Sequence, residues 1–410
     1  MVPDPNRPGC RSRPPQITPR PVSTGGSLMY PTLHHDPTKR DWIDSTVKEL
    51  STFGEAHRQE FDTANRANKF PRELYRELGR LGYLGPLVPA EWGGLGGGVA
   101  EYAVIAEEVG RHGLVSGQIA AQGQRWLLDW GTEEQKQQWL RGIATGEIVF
   151  SESISEKNAG SSFKAMKSTA VRDGGDWILT GSKTHINLGA DCDVTLFYAI
   201  AEEGLTCFLV DMTLPGIRTH VTRAIGLRLI RTADVELEQV RVPDAARLGP
   251  AGEGLKTFLS TFNVSRLGNA SELIGLGRRS LELALRYAST REVGDQVVTD
   301  FQGIQWTVAD AWTALQAASL ARDDAAGAHA RGEDISLRTT TAKKLAIDAA
   351  EQASDAAYSL VGGHGLYFDT PYTEIVNDIK VLKVAGGSNE IMRNYIARRI
   401  LKDPGHEGLA

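Results

Sequence analysis

The sequence predicts a mainly α-helical protein with a central β domain. Three observations predict it. Residues 36–148 carry apolar positions at helical spacing, the middle of the chain breaks into short apolar and alternating runs, and the last third carries long stripes at alternating spacings of 3 and 4. The chain is read as a disordered tail or upstream extension at 1–35, an N-terminal helical domain at 36–148, a β domain at 149–250 and a C-terminal helical bundle at 251–405.

The 410 residues are 41% hydrophobic and 23% charged, which is ordinary for a globular chain of two or three domains. A net charge of −6 argues against a nucleic-acid binder and gives no reason to expect an anionic membrane surface as partner. Cys10, Cys192 and Cys207 have no metal-ligand or redox spacing, so a reducing, cytoplasmic location is expected. No apolar run approaches the length of a membrane span. The first 28 residues are rich in proline and arginine and hold no signal-peptide core; they suit a tail, or an extension upstream of Met29.

The elements follow in order. Pro71 suits a helix start, with Leu74, Leu78 and Leu81 after it at helical spacing. Trp92–Gly98 is a loop, and lacks the spacing of a phosphate fingerprint. Thr132 and Gln135 form a capping-box pattern. Lys167–Arg172 and Trp177–Thr180, joined by Asp173-Gly174-Gly175-Asp176, predict a hairpin. Val194–Ile200, Leu205–Val210 and the alternation through Val235, Leu237, Val240 and Val242 complete a small β domain ending at Pro243. Three stripes follow: Leu267 to Ala288, Ile304 to Ala318, and Ala342 to Leu360. Each predicts a long helix packed on its neighbours.

Four motifs carry a resemblance to the acyl-CoA dehydrogenase family across residues 36–402. Ser153–Ser162 (SISEKNAGSS) resembles that family's TEPxAGSD loop. Trp177–Gly189 (WILTGSKTHINLG) is similar to its strand ending in KxWITNG. Val240–Pro243 (VRVP) resembles its exit from the β domain. Gly362–Gly365 (GGHG), followed by Asp378–Arg393, resembles its GGxG turn and closing helix-loop. The resemblance implies an α domain, a β domain and a four-helix bundle, FAD as cofactor, and a homo-oligomer, dimer or tetramer. It implies an acyl-CoA or acyl-carrier-protein thioester as substrate, losing an α proton to a glutamate and a β hydride to flavin.

Residue by residue, the resemblance puts Ile154 and Ser155 against the flavin ring and Gly160 and Ser161 at the pyrophosphate, where a Gly-Ser turn suits an anion. His185 and Asn187 stand where the family has the tryptophan and threonine of its flavin wall. Arg291 and the Gly362-Gly363 turn match groups serving a neighbouring subunit's cofactor, and Ser388 and Glu390 match the last nucleotide contacts. Arg266 matches an arginine lining the acyl pocket; its alternative is a surface salt-bridge residue.

The departures bear on mechanism. Gly386 occupies the glutamate's place in the closing loop, and Ser265 its alternative place on the long helix, so neither carries a base and the catalytic residue is left unknown. His185 is the one substitute offered, as an acid or base beside the ring. Glu272, about 10 Å along the helix from Ser265, reads as a solvated or interface charge. Aromatic positions of the family are lost at His185 and Gly294, which predicts weaker FAD binding. Three functions remain in view: an FAD-dependent acyl-thioester oxidoreductase, a flavin-dependent monooxygenase of the same fold, and a non-redox enzyme or scaffold.

Overall fold

Helical periodicity in 36–148 resolves into five helices in the computed structural model, which describes residues 37–160 and 163–402. They are α1 (Pro37–Ala56), α2 (Arg58–Ala67), α3 (Arg72–Arg80), α4 (Val99–His112) and α5 (Gln118–Trp130). The tail expected at 1–35 and the site residue Ser161 lie outside the described residues. Pro71 is the N-cap of α3, as its fixed φ suits. Gly113 ends α4 with a left-handed φ of +58° that a side chain would resist. The Thr132–Gln135 capping box forms, with hydrogen bonds of 3.1 and 3.3 Å, and opens a short helical stretch at 133–144.

The β domain is one curled seven-stranded sheet: β1 (Phe150–Ser153), β2 (Thr169–Asp173), β3 (Asp176–Asn187), β4 (Val194–Ala201), β5 (Gly204–Asp211), β6 (Ile217–Val221) and β7 (Thr232–Pro243). The order is β1-β4-β2-β3-β7-β6, with β5 paired to β4. The expected hairpin is β2–β3, its turn closing at Asp173↔Asp176. β3 and β7 pair antiparallel, with a register shift between Lys183 and Ile186. Trp177, Leu179, Phe197, Phe208, Val235 and Val240 fill the inside of the sheet.

The bundle contains α6 (Gly254–Ser260), α7 (Phe262–Ala288), α8 (Gln302–Ala330), α9 (Ser336–Val361), α10 (Tyr372–Val384) and α11 (Asn389–Lys402). Every residue of the first and third predicted stripes is buried. The N-terminal domain is clamped to the bundle where α4 crosses α7. A Cβ on Gly110 would meet the Glu272 carbonyl at 2.3 Å, and one on Gly275 would meet the Glu107 carbonyl at 1.9 Å. Only glycine allows so close a crossing. Glu107, fully buried there, bridges to Arg278 at 2.6 Å and to Arg322.

Candidate active site

The loop after β1 is pinned from below. Lys183 of β3 is buried, and its Nζ bonds Glu156 Oε1 at 2.8 Å and the Ile154 carbonyl at 3.3 Å. Burial would raise the Glu156 carboxyl, but hydrogen bonds from Lys183, Ser168 and the Lys167 amide hold it at about 2. Burial lowers Lys183 to about 8, against the pull of Glu156. The Thr184 amide donates to the Ser155 carbonyl at 2.9 Å, and Ser151 Oγ to the Asn187 carbonyl at 2.9 Å. These bonds tie the Ile154–Ser155 segment to the end of β3 that carries His185 and Asn187. Gly160, on the same loop, is exposed, and a Cβ there would meet nothing within 4 Å.

His185 sits in the irregular register of β3 with a left-handed φ of +58°, unusual for a side-chain-bearing residue. Its amide donates to Asp234 Oδ1 at 3.2 Å, and Thr184 Oγ1 donates to the same oxygen at 2.7 Å. The bulge turns the imidazole outward, where it is exposed.

Aromatic rings line the way from the sheet to the bundle. Phe258 of α6 contacts Phe163 at 5.2 Å, Tyr198 at 6.2 Å and Phe262 at 5.1 Å, and the Arg266 guanidinium lies over Phe262 at 4.2 Å. Glu152 shares the β1 face with Ile154, two residues on. Its carboxyl interacts electrostatically with Tyr198, and its Oε1 is buried with no hydrogen-bond partner. Burial raises this carboxyl to about 8. Sequence reading missed Glu152. The available signal was an acidic residue within an otherwise uncharged strand, FSES, entering the SISEKNAGSS loop.

Arg266 proves to be an interior residue, not a surface salt-bridge one. It is 6% exposed, with Nη1 bonded to Thr340 Oγ1 at 3.2 Å and Nε lacking any partner. Beside it lies the Ala385–Ser388 loop. Lys343 Nζ donates to the carbonyls of Ala385 and Gly387. Burial, then the charge of Arg266, lowers Lys343 to about 7. Gly386 has φ +65°, and a Cβ there would lie 2.6 Å from Asn269 Nδ2 and 3.4 Å from Lys343 Nζ. Ser388 Oγ accepts from the Ile391 amide at 3.5 Å and opens α11, where Glu390 is exposed and Asn389 is buried with Oδ1 unpartnered. Ser265 is buried one residue before Arg266. Around Gly386 and Gly387 the structure therefore puts Asn269, Lys343 and Arg266, donors that can steady negative charge and offer no carboxylate.

One expectation is placed differently. Glu272 is neither solvated nor at a surface. It is 3% exposed, accepts from Ser116 Oγ at 2.8 Å and from Gln118 Nε2, and burial raises it to about 7. Its surroundings come from α4 and the start of α5, over 140 residues away, so spacing along α7 alone did not reveal them. Arg291 and Gly362-Gly363 lie together, following the C-terminal ends of α7 and α9, but far from the other site residues. Within α7, twenty-two helical rises separate Arg266 from Ala288, roughly 33 Å. Arg291 is exposed, and Gly362 holds φ +55°, ψ −136° with nothing among the described residues within 4 Å of a Cβ. A backbone that only glycine adopts, facing open space, suits a close approach from outside the chain.

A helical domain, a curled β domain and a helical bundle, in that order, are the architecture of the acyl-CoA dehydrogenases. The family models for the N-terminal, middle and C-terminal domains of acyl-CoA dehydrogenase match residues 41–147, 151–240 and 252–401. The chain belongs to the acyl-CoA dehydrogenase family. It is 30% identical over 346 residues to an acyl-CoA dehydrogenase of Bacillus subtilis (strain 168), covering 82% of this chain and 91% of that one. It is 30% identical over 385 residues to a 3-(aryl)acrylate reductase of Clostridium sporogenes, covering 91% and 100%. The solved structure of the prolyl acyl carrier protein oxidase AnaB superposes with a TM-score of 0.81 at 25% identity, covering 88% of this chain and 98% of that one. No described helix is long and apolar enough to cross a membrane.

Proposed function

We propose that this protein is an FAD-dependent oxidoreductase acting on an acyl thioester of CoA or of a carrier protein, assembled as a homo-oligomer. The observation that carries the reading is the match of all three acyl-CoA dehydrogenase domain models along the chain, with a packed ring series of Phe163, Tyr198, Phe258 and Phe262 leading to Arg266 and the Ala385–Ser388 loop. A small-molecule site of this kind is largely apolar with a few convergent polar groups.

The residues present fit FAD. Ile154, Ser155, His185 and Asn187 would hold the ring. Gly160 and Ser161 would hold the pyrophosphate, and Ser388 and Glu390 would close over the nucleotide. Arg291 and Gly362-Gly363 of a neighbouring chain would hold its far end. Glu152 Oε1, Arg266 Nε and Asn389 Oδ1 are buried polar atoms with no hydrogen-bond partner among the described residues. Bound there, FAD would supply a two-electron acceptor for a hydride leaving the substrate's β carbon. Arg266 and Lys343 would steady charge that develops on the thioester. Neither Gly386 nor Ser265 has a group to accept the α proton.

The test has two stages. The protein is titrated with FAD by calorimetry and followed by visible absorption; binding with a gain of yellow colour is expected. The loaded protein is then mixed anaerobically with acyl thioesters. Bleaching of the flavin supports the dehydrogenase reading. Bleaching only by an external reductant favours a flavin-dependent monooxygenase of the same fold, a reading that the absent glutamate at Gly386 recommends. No FAD binding at all leaves a non-redox enzyme or scaffold.

A further inference from the structure

Two cations meet at the Gly386-Gly387 turn, and no carboxylate of the described residues answers them. Arg266 is 6% exposed and Lys343 is fully buried. Lys343 Nζ donates only to the carbonyls of Ala385 and Gly387. Glu390, the acid nearest to the turn in sequence, is exposed and interacts instead with Arg393 and Lys383. Burial lowers Arg266 to about 10; burial and the charge of Arg266 lower Lys343 to about 7. Buried charges are normally paired, so two of one sign side by side point to a missing anion.

The free edge of Arg266 indicates which anion. Nη1 bonds Thr340 Oγ1 at 3.2 Å, and Phe262 covers the guanidinium at 4.2 Å. Nε is buried without a partner, and among the described residues no hydrogen bond engages Nη2. These two nitrogens form one planar edge of the guanidinium, the fork that a carboxylate meets with both oxygens. Nη2 lies 3.9 Å from the position of a Cβ on Gly387, and Lys343 Nζ lies 3.4 Å from that of a Cβ on Gly386. The turn therefore presents no side chain of its own to either cation. Asn269 Nδ2, 2.6 Å from the same Gly386 position, adds a third donor.

We propose that Arg266, through Nε and Nη2 and with Lys343 beside it, binds a carboxylate carried by the substrate's own acyl group, so that the substrate is a thioester of a dicarboxylic acid. The inference rests on the thioester reading and names its substrate class. The ligand then brings the counter-charge that neither Gly386 nor Ser265 supplies.

The probes are thioethers of 4′-phosphopantetheine, the arm that CoA and carrier proteins share; they neither hydrolyse nor turn over. S-(2-carboxyethyl), S-(3-carboxypropyl) and S-(4-carboxybutyl) forms are compared by calorimetry with S-propyl, S-butyl and S-pentyl forms, on the FAD-treated protein. At one length the carboxylate should bind at least tenfold tighter than its methyl-ended counterpart, and Arg266→Met should abolish that preference. Asn269→Asp places a carboxylate of the protein beside Lys343. It should also abolish the preference, and should unfold at a higher urea concentration than Asn269→Ala at pH 7. Equal binding within all three pairs, or Asn269→Asp less stable than Asn269→Ala, overturns the inference while the thioester reading stands. Free propionate binding as tightly as the best carboxylate thioether also overturns it, since the acid then arrives separately. Binding of none of the six thioethers overturns both.

Discussion

Gly386 does more than omit a carboxylate. Its left-handed φ and the nearness of Asn269 Nδ2 mean that a glutamate restored there must first displace the amide. Gly386→Glu alone should therefore give no flavin reduction by butyryl-CoA. Paired with Asn269→Ala it should gain it, with Lys343 as the new carboxylate's partner; anaerobic stopped-flow on FAD-loaded protein reads the difference. Glu152 makes a separate prediction. Its ordinary value is 4.5 and burial raises it to about 8, so between those pH values the folded protein holds a proton that the unfolded chain has released. Its contribution to stability thus falls as pH rises from about 4.5 to 8. Glu152→Gln removes that dependence. The variant should unfold near the wild-type temperature at pH 4.5–5 and several degrees above it at pH 8; a gap that does not grow with pH would show that the carboxyl is not desolvated. At this scale the sequence was legible where a motif specifies a residue, as at Gly386, Ser265 and Arg266. It was not legible for Glu152 or Glu272, whose meaning comes from groups distant in the chain.

Elements were legible in proportion to how local their causes are. The hairpin turn, the capping box and the stripes of α7 and α9 depend on neighbours within four residues, and all formed as expected. The character of α7 did not follow from its stripe. A stripe implies one buried face, yet Ser265, Arg266, Asn269, Ser271, Glu272 and Arg278 are buried too, because α4 and the Ala385–Ser388 loop cover the other sides. The α4–α7 crossing needs Gly110 and Gly275. Gly275→Ala should destabilise by about 1–3 kcal/mol through overpacking, measured by urea unfolding. The bulge in β3 was likewise invisible, since a register shift is a property of the β3–β7 pair. Beneath the loop it borders, Lys183→Met would strand Glu156 as a buried, unpaired carboxylate. A loss of about 3–5 kcal/mol is expected from denaturant titration, with weaker FAD binding from the loosened loop.

Over the whole molecule, the residues assigned to substrate and cofactor fall into two groups toward opposite ends of α7, which runs roughly 33 Å from Arg266 to Ala288 by helical rise. A monomer would leave Arg291 and Gly362-Gly363 idle. Arg291→Ala should lower FAD affinity at least tenfold without changing thermal stability in the absence of FAD. Native mass measurement should find a dimer or tetramer. A monomer whose FAD affinity is indifferent to Arg291 would refute the shared site.

By itself the sequence determined the order of helical, β and helical regions, the family, the loop that follows β1, and the absence of a carboxylate at Gly386 and Ser265. Each of these rests on local periodicity or on a motif contiguous in the chain. The tertiary structure alone decided which polar side chains lie inside. It turned Glu272 from a presumed surface charge into a buried acceptor, buried the Oε1 atom of the half-buried Glu152, and set Lys343 and Asn269 against Gly386. Desolvation depends on every element packed around a group, and for these residues those elements come from opposite ends of the chain.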